Sequence, residues 1–277
     1  MDACFSLSDP EPQANGLVTY ASGGGLAQIT LCNPPANGYS HEMMLDLDQA
    51  ILRARFDDEV AVIVLAGDGE KFFCAGADIG MLGEVTPSFK YAFCLHANET
   101  LLRLEHTPKL VIAALGGHCV GGGLEVALAA DLRVARKGSG KCGLPEVKLG
   151  VLPGTGGTQR LARLLGSSRA IGLMAEGNTF DYNEAEAMGL INRQIEADDE
   201  AGFMEAVFEW ARTFTPPAAA SGAIGLIKRA VQSGADLPLE SGLALERELQ
   251  ARLFMGGDAS EGIDAFKGKR PPHFTGQ

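Results

Sequence analysis

The sequence has no surplus of positive charge, no paired-cysteine motif and no unbroken apolar run long enough to cross a bilayer. Lysine and arginine number 23 against 35 acidic residues, for a formal net charge of −12. Nucleic acid and anionic membrane surfaces both need a basic face, so a bulk preference for either is excluded, whereas a small basic pocket for a phosphorylated ligand is not. The six cysteines, at positions 4, 32, 74, 94, 119 and 142, form no C-x-x-C pair and have no histidine cluster beside them. That argues against a zinc or dithiol site and for reduced core residues, and no metal is expected. The N-terminal MDACFSLSDPEPQANG has neither the basic nor the apolar segment of a secretion signal. The most apolar stretch, Leu110 to Ala130, is interrupted by glycines, His118 and Glu125, which makes it a poor membrane span. The expectation is a cytoplasmic protein. No repeat of fixed period and no low-complexity segment is visible.

What is present is an ordinary globular composition, 46% hydrophobic and 21% charged over 277 residues. That length suffices for one large core with an appendage or for two modest domains. Residues 1–15 read as an N-terminal tail carrying two prolines. LAQITLC (Leu26–Cys32) alternates like a strand, NPPANGYS stops it, and Ser40 is placed to cap the helix HEMMLDLDQAILRARF. VAVIVLAG (Val60–Gly67) and LVIAALGG (Leu110–Gly117) are the continuous apolar runs of strands buried on both faces, with a mostly helical stretch from Pro87 to His106 between them. Strand and helix in alternation predict an α/β architecture over residues 16–200. From there to residue 277 the pattern is nearly all helical, so residues 201–277 form a separate helical region.

The chemistry concentrates in three glycine-rich stretches. In GGHCVGGGLEVALAAD, Gly121–Gly123 follow a buried strand and open a helix near Leu124, with Glu125 alone among apolar residues. The first amides of a helix lack internal partners and carry the positive end of its dipole, so this turn suits a developing oxyanion. Neither G-x-G-x-x-G nor G-x-x-x-x-G-K-[ST] can be threaded through it. Two readings of Glu125 fit: a residue favoured by the dipole in a tight turn, or a working carboxylate. In GLPEVKLGVLPGTGGTQRL, Glu146 follows Pro145, and it fits either a solvated turn or a second carboxylate. In KFFCAGADIGML, Gly76 follows an apolar run and precedes Ala77 and Asp78, where a second backbone amide could come from. Two amides and two carboxylates make a kit for stabilising an enolate and moving protons or water beside it.

Together, in this order and spacing, FFCAGADIGML, GGHCVGGGLEVALAADLRVA and GLPEVKLGVLPGTGGTQRLARLLG resemble the crotonase (enoyl-CoA hydratase/isomerase) superfamily. The resemblance continues through MAEGNTFDYNEAEAMGLINRQI to the terminal EGIDAFKGKRPPHF. It implies a crotonase-like spiral of ββα units followed by an all-helical C-terminal trimerisation region, assembled as a homotrimer or homohexamer. It implies that the amides of Ala77 and Gly122 form an oxyanion hole for a thioester carbonyl, and that Glu125 and Glu146 are the catalytic pair. The isomerase branch usually keeps only the second glutamate, so the pair implies a hydratase acting on an acyl-CoA, with coenzyme A part of the substrate and no separate cofactor. Ala75, Ala77 and Asp78 fall where the family folds around CoA. Phe266 and Lys269 match a C-terminal contact to the CoA nucleotide, often from a neighbouring subunit, within the basic FKGKR. Where many members carry Arg or Lys before the first proline of the early turn, this chain has Asn33. Phe89, Phe93 and His96 fit either an acyl pocket or one face of a core helix, and His118 fits a satisfied structural histidine.

Overall fold

A computed structural model of the chain describes residues 5–277. Met1 to Cys4, including the first of the six cysteines, lie outside the described residues. The chain forms two sheets and threads back and forth between them. Strands β1 (Glu11–Pro12), β2 (Val18–Gly23) and β3 (Leu26–Leu31) are followed by helix α1 (His41–Phe56), and then by β4 (Val62–Gly67) and β5 (Phe72–Cys74). Helices α2 (Ile79–Glu84) and α3 (Pro87–Glu105) lead to β6 (Leu110–Leu115), β7 (His118–Val120) and α4 (Gly122–Leu128). The next turn runs through β8 (Leu132–Arg136), β9 (Lys141–Gly143) and a 3-10 helix (Glu146–Leu149) to α5 (Gly157–Leu165) and α6 (Ser167–Glu176). Strand β10 (Phe180–Asp181), α7 (Tyr182–Ala187) and β11 (Arg193–Ile195) close the spiral, and α8 (Glu200–Arg212), α9 (Ser221–Gly234), α10 (Leu239–Phe254) and α11 (Gly257–Gly268) complete the chain.

The large sheet has the order β1-β2-β3-β4-β6-β8-β11, and the small sheet the order β10-β9-β7-β5. Each turn lays one strand in the large sheet, the next in the small one, and then a helical return: β4 then β5, β6 then β7, β8 then β9. This is the ββα spiral that the resemblance implies. From β3 onward the large sheet is parallel, as are β5, β7 and β9 within the small one. Parallel sheets need cover on both faces, and the alternation supplies it. Ile63, Leu65, Val111, Ala113 and Leu115 pack with α1, α3, α4 and the small sheet. Val62, Val64, Ala66, Ile112 and Ala114 pack with Phe203, Val207 and Ala211 of α8.

Several sequence readings are sharpened. Ser40 caps α1, its hydroxyl accepting from the Met43 amide at 3.3 Å. The stretch read as a tail is pinned to the body: Ser8 N donates to Ser22 O at 2.9 Å, Glu11 and Pro12 pair with Tyr20 and Thr19, and Asn15 donates twice to the Asp46 carboxylate. Helix α4 starts at Gly122 rather than near Leu124, because Gly121, at φ 58, makes the turn two residues earlier. Phe203 and Val207 of α8 are fully buried against the chain's own large sheet, so this face of the helical region serves the chain's own core. Among the described residues no helix is long and apolar enough to cross a membrane.

Candidate active site

The small sheet assembles the site. Its three parallel strands bring Cys119 beside both Cys74 and Cys142, with a register shift between Phe72 and Cys74 where β5 meets β7. Parallel strands release their loops at one end of a sheet, so the segments after β5, β7 and β9 emerge together. Those segments are Ala75–Asp78, Gly121–Gly122 and Leu144–Glu146, the three glycine-rich motifs of the sequence. The three cysteines are free and buried. Burial pushes the Cys74 and Cys142 thiols up to about 12 and raises Cys119 as well, so they serve as core residues.

Glycine is required where these loops meet. A Cβ on Gly76, whose φ is 96, would lie 2.9 Å from the Gly122 nitrogen. One on Gly122 would lie 2.2 Å from the hydroxyl of Tyr39, and one on Gly121 would lie 3.2 Å from Oε1 of Glu146. At Gly76 the backbone of the next loop, and at Gly122 the Tyr39 ring, take the space a side chain would need, while Gly121 needs its positive φ. As the first residue of α4, Gly122 has an amide without an intrahelical partner. Ala77 forms a parallel bridge with Tyr39, in which Tyr39 N donates to Gly76 O at 2.9 Å and Asp78 N donates to Tyr39 O at 3.0 Å. The bridge therefore leaves the Ala77 N–H on the side away from Tyr39.

Glu125 is 2% exposed, and each of its carboxylate oxygens accepts at least one hydrogen bond. Oε1 accepts from the amides of Thr155 at 2.8 Å and Gly157 at 2.7 Å, and Oε2 accepts from the Thr155 hydroxyl. Gly157 is the first residue of α5, so the carboxylate sits at a helix N-terminus, where the dipole favours negative charge. A buried charge without such partners would be prohibitive. Glu146 presents the opposite case. It opens the 3-10 helix half-buried, and its Oε2 is buried without a hydrogen-bond partner. Burial pushes its carboxyl up to about 7, and the neighbouring Glu125 charge adds to the rise. Two adjacent carboxyls thus stand in contrasting surroundings, one held by three donors and one with a buried oxygen left unpartnered, the pattern that separates base from acid.

Some expected residues play supporting parts. Asp78 caps α2 through Met81 N at 2.7 Å, and Ala75 N donates to Ala36 O at 3.0 Å. Asn33 braces the early turn by donating to Gly38 O, and Asn37 donates to Asp68 O and Phe72 O, which together set the position of Tyr39. Phe93 is buried in the core against Tyr39, while Phe89 stacks on it, partly exposed, and His96 lies against His41. His118 accepts from Lys141 N at 3.0 Å, a structural bond. Phe266 is 87% exposed on α11, a helix that packs on α10, and Lys269 ends that helix in a left-handed conformation. Arg270, read as part of a basic cluster, is engaged by Glu261 in a bidentate pair at 2.6 and 2.7 Å. The free positive charge there is smaller than the sequence implies.

Sequence reasoning missed Tyr39, Thr155, Gly157 and the pair behind them. Arg160 donates to Thr155 O at 3.1 Å and forms a nearly buried bidentate pair with Glu105 at 2.8 and 2.7 Å. The available signal was the GTGG run at the start of α5, which repeats the logic of Gly121–Gly123.

Comparison with known proteins identifies the family. The sequence family described as Enoyl-CoA hydratase/isomerase matches residues 21–277. The chain is 36% identical over 243 residues to the mitochondrial methylglutaconyl-CoA hydratase of Mus musculus, covering 87% of this chain and 76% of that protein. It is 35% identical to the short-chain-enoyl-CoA hydratase of Clostridium acetobutylicum over 248 residues, covering 89% of this chain and 93% of that one. A crystal structure of an enoyl-CoA hydratase from Geobacillus kaustophilus superposes with a TM-score of 0.92 at 42% identity, over 99% of this chain and 100% of that one.

Proposed function

The chain belongs to the enoyl-CoA hydratase/isomerase family, and on that premise we propose that it is an enoyl-CoA hydratase, adding water reversibly across the 2,3-double bond of an acyl-CoA thioester. The observation that carries the proposal is the pairing of Glu125, clamped by three donors, with the half-buried Glu146, whose Oε2 is buried and unpartnered, near the N-terminus of α4. The thioester oxygen accepts from the amides of Ala77 and Gly122. Ionised Glu125 orients a water and takes its proton as the oxygen attacks Cβ. The π electrons move toward the thioester, and the resulting enolate oxygen is held by the two amides. Protonated Glu146 then gives its proton to Cα. One water is consumed, a 3-hydroxyacyl-CoA forms, and proton exchange with solvent resets the two carboxyls. No cofactor beyond the substrate's own CoA is needed, and the working location is the cytoplasm. In a crystal of the complex with acetoacetyl-CoA, the thioester oxygen should lie about 2.7–3.1 Å from both amide nitrogens, and placement elsewhere would contradict this oxyanion hole.

Ultraviolet absorbance of the conjugated enoyl thioester tests the reaction. With crotonyl-CoA the band decays as water adds. A band that instead grows from a 3-enoyl thioester identifies an isomerase, and no change with either substrate refutes catalysis on these thioesters.

The proposed assembly is a homotrimer or homohexamer in which Phe266 and Lys269 reach a neighbouring subunit's CoA. Its support is the exposure of Phe266 on α11 together with the exposed apolar residues Leu239, Leu243, Phe254 and Met255 on and after α10. Sedimentation equilibrium should give three or six chains. Phe266→Ala with Lys269→Ala should weaken CoA-thioester binding without unfolding the protein. A monomer, or unchanged affinity, would contradict the assembly.

A further inference from the structure

Tyr39 and Thr155 form an oriented pair of hydroxyls behind Glu125. Tyr39 Oη lies 3.0 Å from Thr155 Oγ1, which in turn donates to Glu125 Oε2. The direction of the chain follows from valence. An ionised carboxylate only accepts, so Thr155 uses its single hydrogen on Glu125, and the remaining contact requires Tyr39 to donate. Tyr39 is 3% exposed, and burial followed by the nearby Glu125 charge holds its phenol well above the usual range, so it keeps its proton throughout the working pH range. The ring is fixed by its bridge to Ala77, by Phe93 at 5.9 Å and by the close approach of Gly122. Thr155 is fixed from behind by Arg160 and Glu105.

We propose that Tyr39 and Thr155 are positioning residues: Tyr39 directs the Thr155 hydroxyl onto Glu125 and so maintains Glu125 as the aligned, ionised base. The proposal rests on the hydratase reading for its kinetic consequences but not for its chemical one. Tyr39 before α1 and Glu146 on the 3-10 helix are the titratable groups that feel the Glu125 charge, and Cys74 on β5 and Cys94 on α3 stand near Tyr39. The Arg160–Glu105 pair stands behind Thr155. Of these groups, Glu146 is the one whose carboxyl burial pushes up to about 7.

The test is a cycle of Thr155→Val, Tyr39→Phe and the double variant, with Thr155→Ser as the conservative rescue. A hydrogen bond to a charged group is strong enough that its loss in Thr155→Val should lower kcat about tenfold. KM should change little. Tyr39→Phe should lower kcat by a smaller factor, and on the Thr155→Val background it should do nothing further, because it acts through that hydroxyl. Thr155→Ser should restore the wild-type rate. Infrared difference spectra of glutamate-labelled protein, assigned by subtraction of Glu125→Gln, should show the Glu125 carboxylate stretching bands displaced in Thr155→Val and Tyr39→Phe and restored in Thr155→Ser. This readout decides the proposal even if the wild-type protein hydrates no enoyl thioester, which would refute the reaction assignment alone. Unmoved carboxylate bands, or effects that multiply in the double variant, would overturn it. If Thr155→Val does not fold, Tyr39→Phe decides by the same two measurements.

Discussion

Glu146→Gln is expected to lower hydratase turnover by about 10²–10⁴-fold, the usual weight of a general acid or base, and at the same time to raise thermal stability above neutral pH. The two effects share one cause. Glu146 Oε2 is buried without a partner, and its carboxyl is pushed up to about 7 from an ordinary 4.5. Between those values the folded protein binds more protons at this site than the unfolded chain does. The unfolding free energy therefore falls as pH rises through that window, and above it the fold carries an incompletely solvated charge. Glutamine removes the charge while keeping the volume. The melting temperature of the variant should equal that of the wild type near pH 4.5 and exceed it at pH 8, as measured by calorimetry across the range. This is the trade between activity and stability expected of a group kept in surroundings that suit its chemistry rather than its solvation. A melting difference independent of pH would show that burial does not perturb Glu146, and retained turnover would show that it is not the proton donor.

The parts of the site legible in the sequence were those in which one residue type announces a local need. Gly121–Gly123 beside Glu125, Gly76 before Ala77, and Pro145 before Glu146 each combine a special backbone with a residue that carries or flanks chemistry. The long buried strands β4 and β6 were legible for the same reason, as continuous apolar runs bounded by turn residues. The small sheet was not. Strands β5, β7 and β9 have three residues each, too few for a period-two pattern to rise above chance. Their order and register depend on pairings far apart in the chain, such as Cys74 with Cys119. Tyr39 and Thr155 stood out in neither composition nor spacing, because their partnership joins residues 116 positions apart. The same limit applies to charge. Within FKGKR each basic residue looks equivalent, yet the fold pairs Arg270 with Glu261 and leaves Lys269 exposed.

Glu125→Gln should cost turnover about as much, roughly 10²–10⁴-fold, but with a different stability signature. The side-chain oxygen of glutamine can still accept from the amides of Thr155 and Gly157 at the position of Oε1. Its NH2 then faces Thr155 Oγ1, which turns to accept from it and donates to Tyr39 instead. The chain of hydroxyls reverses without losing a bond, so the melting temperature should stay close to wild type at pH 8, where Glu146→Gln is expected to exceed it. Changing the ligand from a charge to an amide gives up the favourable field at the start of α5, worth about 0.3–1 kcal/mol, which sets the size of any small loss. Combining the two substitutions should lower turnover far less than the product of the single effects, because both carboxyls act on one addition of water and neither works without the other. Steady-state rates for the two single variants and the double variant, read beside their melting curves, separate these roles. Near-normal turnover in Glu125→Gln would make this carboxylate a structural anchor, placed in an apolar helix to satisfy the amides of Thr155 and Gly157 rather than to activate water.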